Sequence, residues 1–354
     1  MAGLDMTPDR LADLISRFPK RRLAVVGDFF LDKYLEVDPA RAERSVETGK
    51  VAHQVVAVRC DAGAAGTVMN NLSSLGAGTL HAVGFTGDDG EGHDLRAALE
   101  RVRASTEHLH RVPGRRTPTY LKPRDAGDPT LAGEHSRYDI KNRLPTPPEV
   151  SRRIVESLDR LLPEVDALVI MDQVEEEECG VLTTPVRGAI AERARRFPRV
   201  VFWADSRRRI RRYRNVIVKP NQFEAVGREN PAPGEEVPLE ELRRAVADLR
   251  RTLGGPVCAT LGARGMAVSD PEWTVIPGVR IEGPTDPTGA GDSATAGAVL
   301  ALCAGATLPE AALVGNLVAS ITVQQLATTG TARPGDLIPR LELWRRQQPD
   351  GSTP

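Results

Sequence analysis

The segment Thr285-Asp286-Pro287-Thr288-Gly289-Ala290-Gly291-Asp292 sets turn formers directly before a run of small residues that reads as a close-packed helix over 293–306. A junction of this kind leaves backbone N–H groups without partners at the positive end of a helix dipole, which makes an anion site. Asp292 stands at the same junction, and a carboxylate facing an anion site is electrostatically costly unless it has chemistry to do. The matching chemistry is removal of a proton from a hydroxyl, while the N–H groups of Gly289, Ala290 and Gly291 stabilise charge on a phosphoryl group in transfer. An Asp N-cap on a core helix shows the same residues.

The elements that must carry further groups to this point alternate between strand and helix. Leu23-Ala24-Val25-Val26-Gly27-Asp28 has the unbroken apolar character of a buried parallel strand. Ligands in open α/β sheets bind beyond the carboxyl ends of strands, which puts Asp28 and Asp32 where a polar substrate is held. The two oxygens of Asp32 suit two sugar hydroxyls, and a turn Asp looks the same. Gly63 and Gly66 lie in a Gly-rich stretch over 62–72 that opens a helix ending near Gly76 and Gly78, and they permit close approach of a ligand, or of another helix. Residues 34–37 with 51–58, and 117–122 with 135–140, read as two small strand pairs projecting as a lid. The second pair carries Lys122, Arg124, Arg137 and Asp139, which either protect an exposed edge or meet a substrate phosphate.

Further strands are expected over 80–85, 167–171, 200–204 and 216–218, with helices over 95–102, 149–162, 184–196 and 308–326. This rhythm requires a doubly wound, mainly parallel α/β sheet flanked by helices. After strand 216–218, Asn221 and Glu224 fall at i and i+3 on one face of a first helical turn. There they organise water around Mg²⁺ or form a capping box. Thr260-Leu261-Gly262-Ala263-Arg264-Gly265 reads as a hairpin turn whose glycines either admit a nucleotide or simply turn the chain. The acidic run 175–178 reads as a solvated loop, and the basic run 206–214 as a solvated helix face or a nucleic-acid contact.

Composition narrows the function classes. The chain of 354 residues is 40% hydrophobic and exceeds one small core. A helical lead-in over 1–20, a main domain over 21–346 with lid segments at about 34–58 and 117–140, and a flexible tail over 347–354 account for it. A net charge of -1 gives no bulk attraction to nucleic acid or an anionic membrane. Cys60, Cys179, Cys258 and Cys303 have no metal or disulfide spacing, and no signal or spanning segment is evident, so a cytoplasmic protein is expected.

From 23 to 334 the motifs occur in a particular order: Gly27-Asp28-x-x-x-Asp32, the Gly63 helix start, Lys219-Pro220-Asn221-x-x-Glu224, Thr260-Leu261-Gly262-x-x-Gly265 and Asp286-x-Thr288-Gly289-Ala290-Gly291-Asp292. That order resembles the ribokinase-like (PfkB) family of carbohydrate kinases, with a small β lid on the sheet. Within it, Thr119-x-x-Lys122-x-Arg124, Arg137-x-Asp139 and Asp205-Ser206-Arg207 are most similar to the heptose-phosphate kinase group related to ADP-heptose synthesis. The resemblance implies ATP-dependent phosphorylation of a sugar or sugar-phosphate hydroxyl, with Asp292 as base and the Gly289 to Gly291 loop as anion hole. It implies Asn221 and Glu224 at Mg²⁺ and the phosphates, and Thr260, Gly262, Gly265 and Asn316 around the nucleotide. Asp286 and Thr288 match positions that hold an activating monovalent cation such as K⁺. Asp28, Asp32 and Gly63, with Lys122 and Arg137 from the lid, fall to the acceptor, and members of the family often form homodimers through their lids. Two departures are visible. The usual Gly-Gly and Asn of the sugar-contacting helix read Gly63, Ala64 and Thr67, and an Asp-Tyr-Gly-Lys-Gly turn is replaced by Asp172-Gln173 and the acidic run. A nucleoside or other small-alcohol kinase, or a catalytically silent sugar or nucleotide sensor, would use the same scaffold.

Overall fold

Strands rich in Val, Leu, Ile and Ala form the centre of this molecule because helices cover both of their faces. The computed structural model describes residues 6–128, 133–232, 234–326 and 329–348. The first half runs α1 (Pro8–Arg17), β1 (Arg22–Gly27), β2 (Phe29–Arg44), β3 (Val51–Ala64), α2 (Ala65–Ser74), β4 (Thr79–Gly87), α3 (Gly90–Arg101), β5 (Ala104–Ser105), β6 (Leu109–Val112), β7 (Thr119–Asp125) and β8 (Tyr138–Ile140). It continues with α4 (Pro148–Leu161), β9 (Ala167–Asp172), α5 (Thr184–Arg196), β10 (Val201–Ser206), β11 (Ile217–Val218), α6 (Gln222–Val226) and α7 (Leu239–Leu253). The last part is β12 (Cys258–Thr260), β13 (Gly265–Val268), β14 (Thr274–Pro277), α8 (Ala290–Cys303), α9 (Leu308–Thr322) and α10 (Pro334–Gln347).

The central sheet has the order β11-β10-β9-β1-β4-β5, with β6 also on β4, and every pairing is parallel. Alternation along each strand splits the core in two. Leu23, Val25, Val169 and Trp203 face α1, α2, α8 and α9, whereas Ala24, Val26, Leu168 and Ile170 face α4, α5 and α7. Both layers exclude water, so the sheet is doubly wound. The small residues of α8 let α9 come close: a Cβ on Gly297 would lie 2.7 Å from the Val318 Cγ2. An antiparallel sheet, β12-β13-β14, extends the wall beyond β11.

A separate four-stranded sheet has the order β3-β2-β7-β8. Two separate strand pairs were expected, and the structure joins them through parallel pairing of β2 with β7, from Leu31↔Thr119 to Val37↔Asp125. The strands also extend beyond the expected 34–58, because β2 begins one residue after Asp28 and β3 runs directly into α2. Helix α3 starts five residues before the expected 95, since the Asp89 carboxylate accepts the Gly92 N–H at 2.9 Å and caps it there. Helix α10 was not anticipated; it buries Leu337, Leu341 and Trp344 against the α1 and α9 layer. Most of the expected tail lies outside the described residues, as do 1–5 of the lead-in.

Candidate active site

Gly289 adopts φ +75 and caps α8, which thereby begins at Ala290, three residues before the expected 293. Pro287 fixes the preceding turn by accepting the Ala290 N–H at 3.1 Å. That engages one of the three amides expected to form the anion hole. Among the described residues the N–H groups of Gly289 and Gly291 meet no acceptor in the chain. Asp292 follows in the first turn of α8, and burial pushes its carboxyl up to about 7, with Asp205 adding to the rise and Lys219 and Arg207 opposing it. Asp286 is buried beside this loop, where its Oδ1 accepts the Thr288 N–H at 2.9 Å.

The acceptor side is built by the four-stranded sheet. Asp32 on β2 is buried and lies 3.0 Å from the Lys122 ammonium on β7. Burial raises the Asp32 carboxyl while Lys122 pulls it down, and Asp32 in turn adds to the field at Asp292. Gly63 lies against Asp32; a Cβ there would be 2.5 Å from its Oδ2. Arg137 stacks on Tyr120 and forms a two-pronged pair with Asp139 at 2.7 and 3.0 Å, so its charge is already shared. Asp28 departs from the expected role of hydroxyl acceptor. Its oxygens take the N–H groups of Gln173, Val174 and Val181 at 2.7 to 2.9 Å, which makes it the buttress of the loop after β9.

Where the resembling pattern has a second Gly, Ala64 adopts φ 54, ψ −117, a conformation that a Cβ disfavours by about 1 to 3 kcal/mol. Ala64→Gly is therefore expected to raise the urea midpoint, for a net gain of about 1 kcal/mol after the greater freedom of the unfolded Gly is subtracted. A lowered midpoint would refute strain at this helix start. Thr67, one turn further on, is buried with its methyl 3.3 Å from where a Gly289 Cβ would stand, so α2 and the glycine loop touch.

On the other side of Gly291 opens a cleft of about 470 Å³, lined by Thr260, Gly262, Gly265, Ala290 and Asn316 among others. Its volume suits a nucleotide-sized ligand. The Asn316 amide donates to the Ile276 and Pro277 carbonyls at 3.1 and 3.2 Å and braces the cleft wall. Gly265 has φ +100, and a Cβ would strike the Ile276 carbonyl at 2.2 Å. Asn221 and Glu224 make a full capping box: Asn221 accepts the Phe223 and Glu224 amides, and Glu224 Oε2 accepts the Asn221 N–H at 2.8 Å. Burial, with a smaller contribution from Asp205 and against the Asn221 N–H, pushes the Glu224 carboxyl up to about 7.

Two charged pairs here were not singled out from the sequence. Lys219, at the end of β11, places its ammonium 2.8 Å from Asp205 Oδ2 at the end of β10. Arg209 binds both Asp172 oxygens, at 2.7 and 3.2 Å. The signals for Lys219 were its place at the close of an apolar strand and at the head of the Lys219-Pro220-Asn221 motif, neither of which names Asp205 as its partner. In the runs 175–178 and 206–214, expected to be solvated, Glu175, Glu177, Arg207, Arg208, Arg211, Arg212 and Arg214 are exposed, with Arg207 and Arg208 paired to Glu175 and Arg212 to Glu177, whereas Arg209 is buried. Opposite charges on adjacent loops pair with each other here.

The fold is ribokinase-like. Ribokinase from Arabidopsis thaliana, complexed with ribose and ATP, superposes with a TM-score of 0.62 at 18% identity, covering 92% of this chain and 99% of that one. Phosphofructokinase-2 from Escherichia coli in complex with potassium gives 0.66 at 17% identity, covering 92% and 98%. The pattern of the pfkB family of carbohydrate kinases matches residues 21–334, and the chain belongs to that family. It is also similar to the bifunctional protein HldE of a Nitratiruptor species, 29% identical over 320 residues, and of Citrifermentans bemidjiense, 30% identical over 328 residues. These matches cover 88% and 90% of this chain but 63% and 62% of those proteins, so the chain spans a little under two thirds of their length.

Proposed function

We propose that this carbohydrate kinase transfers the γ-phosphoryl of ATP to a hydroxyl of a sugar or sugar phosphate, with Asp292 as the base. The observation that supports the reading is convergence: Asp292 follows the Ala290 and Gly291 that line the cleft, and the field of Asp32, which pairs with Lys122, reaches its carboxyl. The nucleotide occupies that cleft, and the Gly289 and Gly291 amides meet the phosphoryl oxygens. Asp32 and the Gly63 backbone orient the sugar, with Lys122 and Arg137 toward an anionic substituent. The acceptor oxygen bonds to phosphorus as the bond to ADP breaks, and the hydroxyl proton passes to Asp292. Positioning and fixed charge carry most of the rate.

Among the described residues no cluster of three or more His, Cys, Asp or Glu forms a protein cage for a metal. The capping box takes Asn221 Oδ1 and Glu224 Oε2 and leaves Glu224 Oε1, so Asn221 and Glu224 would hold Mg²⁺ through water, and the ion would neutralise phosphate charge. Asp286 and Thr288 fit a monovalent cation such as K⁺ beside the same loop. The four-stranded sheet serves as the lid, and its exposed Val55, Val58 and Tyr138 suit contact with the lid of a second copy. No helix among the described residues is long and apolar enough to cross a membrane; a cytoplasmic site of action is part of the proposal.

The test is a coupled ADP-release screen over free and phosphorylated pentoses, hexoses and heptoses. ADP formation that depends on one sugar class supports the reading; turnover of nucleosides alone, or of nothing, overturns it. The raised Asp292 carboxyl adds a pH signature. Because the base works ionised, kcat/KM is expected to fall about tenfold per pH unit below about 7. Rates measured from pH 5 to 9 check this, and an acid limb near the ordinary Asp value contradicts it.

A further inference from the structure

We propose that Arg280 is a nucleotide-binding residue whose guanidinium stacks on the base, and that Gln347, at the end of α10, is the positioning residue that holds it there. This rests on the kinase reading above. Arg280 lines the cleft beside Gly291, in the segment between β14 and α8 that joins no sheet. Backbone groups without a ladder partner need other partners. Gln347 supplies them: its Oε1 accepts the Arg280 N–H at 2.8 Å, and its Nε2 donates to the Arg280 carbonyl at 2.9 Å. The Arg280 Nη2 donates in return to the Gln347 carbonyl at 2.9 Å. Trp344, one turn earlier on the same face of α10, donates its Nε1–H to the Pro277 carbonyl at 2.8 Å. One helix thus fixes the cleft wall at both Pro277 and Arg280. Among the described residues Arg280 forms no ion pair and covers no aromatic ring, so its charge is uncommitted.

Helix α9 shows which part of the nucleotide Arg280 meets. Ser293, next to Asp292, lies 2.8 Å from Thr322 between hydroxyl oxygens, so the glycine loop stands at the C-terminal end of α9. Asn316 precedes Thr322 by about 9 Å along the helix and holds the Pro277 carbonyl at 3.2 Å. From there the segment returns to the loop, where the Asp286 N–H donates to the Val323 carbonyl at 2.8 Å. Arg280 is closer in sequence to Pro277 than to Asp286, and so stands toward the end of the cleft away from the glycine loop. With the phosphates received at that loop, the base reaches the Arg280 end. Val279 and Ile281 line the cleft on either side of it, which makes this wall apolar around one planar cation. A guanidinium oriented by a carbonyl stacks well on an aromatic face, whichever base presents it.

The experiment compares wild type, Arg280→Ala, Arg280→Lys and Gln347→Ala. Calorimetry measures ADP on each protein and adenosine by displacement of ADP, and ATP kinetics are taken with the sugar found in the screen. Arg280→Ala is expected to weaken ADP and adenosine equally, by about tenfold, and to raise the ATP KM with a smaller change in kcat. Arg280→Lys keeps the charge without the plane and should stay within about twofold of Arg280→Ala. Gln347→Ala, which leaves the guanidinium but frees the segment, should weaken both ligands by about three- to tenfold, again in KM more than in kcat. ADP affinity within about twofold of wild type in Arg280→Ala overturns the proposal. So does a loss for ADP that adenosine does not share, adenosine that fails to displace ADP from wild type, or full recovery in Arg280→Lys. Unchanged binding in Gln347→Ala removes Gln347 from its role. If wild type binds no ADP, the kinase reading fails and takes the base contact with it. If wild type binds ADP and the variants change only the urea midpoint, Arg280 is a cap on α10 and the proposal alone fails.

Discussion

Asp292→Asn is expected to lower kcat by about 10³ to 10⁴ while ATP binding stays within about threefold of wild type. The amide keeps the shape of the side chain but has no electron pair basic enough to take a hydroxyl proton. The cleft that receives the nucleotide is walled by Thr260, Gly262, Gly265 and Asn316, which the substitution leaves alone. A second consequence separates this role from a helix cap. Burial holds the Asp292 carboxyl at about 7, above the ordinary Asp value of 3.8. A group raised in this way contributes stability below its unfolded value and loses it as pH rises through the folded value. The asparagine has no charge to bury. The variant should therefore match wild type in urea near pH 3.8 and below, and exceed it progressively up to pH 7 and above. Turnover and urea midpoints across that range check both halves. Near-normal turnover removes Asp292 from the role of base, and a variant less stable than wild type at pH 8 marks it as a cap.

Arg209→Met is expected to destabilise the protein by about 3 to 5 kcal/mol, the usual cost of removing one partner of a buried ion pair. Arg209 and Asp172 have side chains only 9% and 1% exposed, and the pair is two-pronged. Ser206 donates to Asp172 Oδ2 at 2.7 Å and in turn receives the Arg209 N–H, and among the described residues Arg209 is the one cation paired with the carboxylate. Arg209 also donates to the Glu175 carbonyl at 3.0 Å and to the Val174 carbonyl. The loop after β9 is thus gripped by Arg209 from one side and by Asp28 from the other, and Asp172 already raises the Asp28 carboxyl, which burial holds at about 6. Losing Arg209 leaves these two carboxylates facing each other uncompensated. Arg209→Lys should recover only part of the loss, since a point charge does not reproduce the fork. Urea denaturation at pH 7 measures the effect; a loss below about 1 kcal/mol would mean that water satisfies Asp172 and that the loop stands without this pair.

Local chemistry is legible in residue order. The apolar runs of β1 and β9, the helix start after Gly289, and the pairing of Asn221 with Glu224 across three residues all depend on neighbours within one turn or one strand, where spacing dictates geometry. The order of motifs carried the family for the same reason. Tertiary structure decided what distant segments do to one another. Which strands become neighbours in a parallel sheet depends on how crossover helices pack, and that placed Lys219 on Asp205 and Arg209 on Asp172. It also merged two expected strand pairs into one sheet, turned the acidic and basic runs toward each other, and committed Asp28 to three backbone amides. The raised Asp292 carboxyl belongs to the same class, because burial and the sign of nearby charges are properties of the assembled fold and leave no mark on residue order.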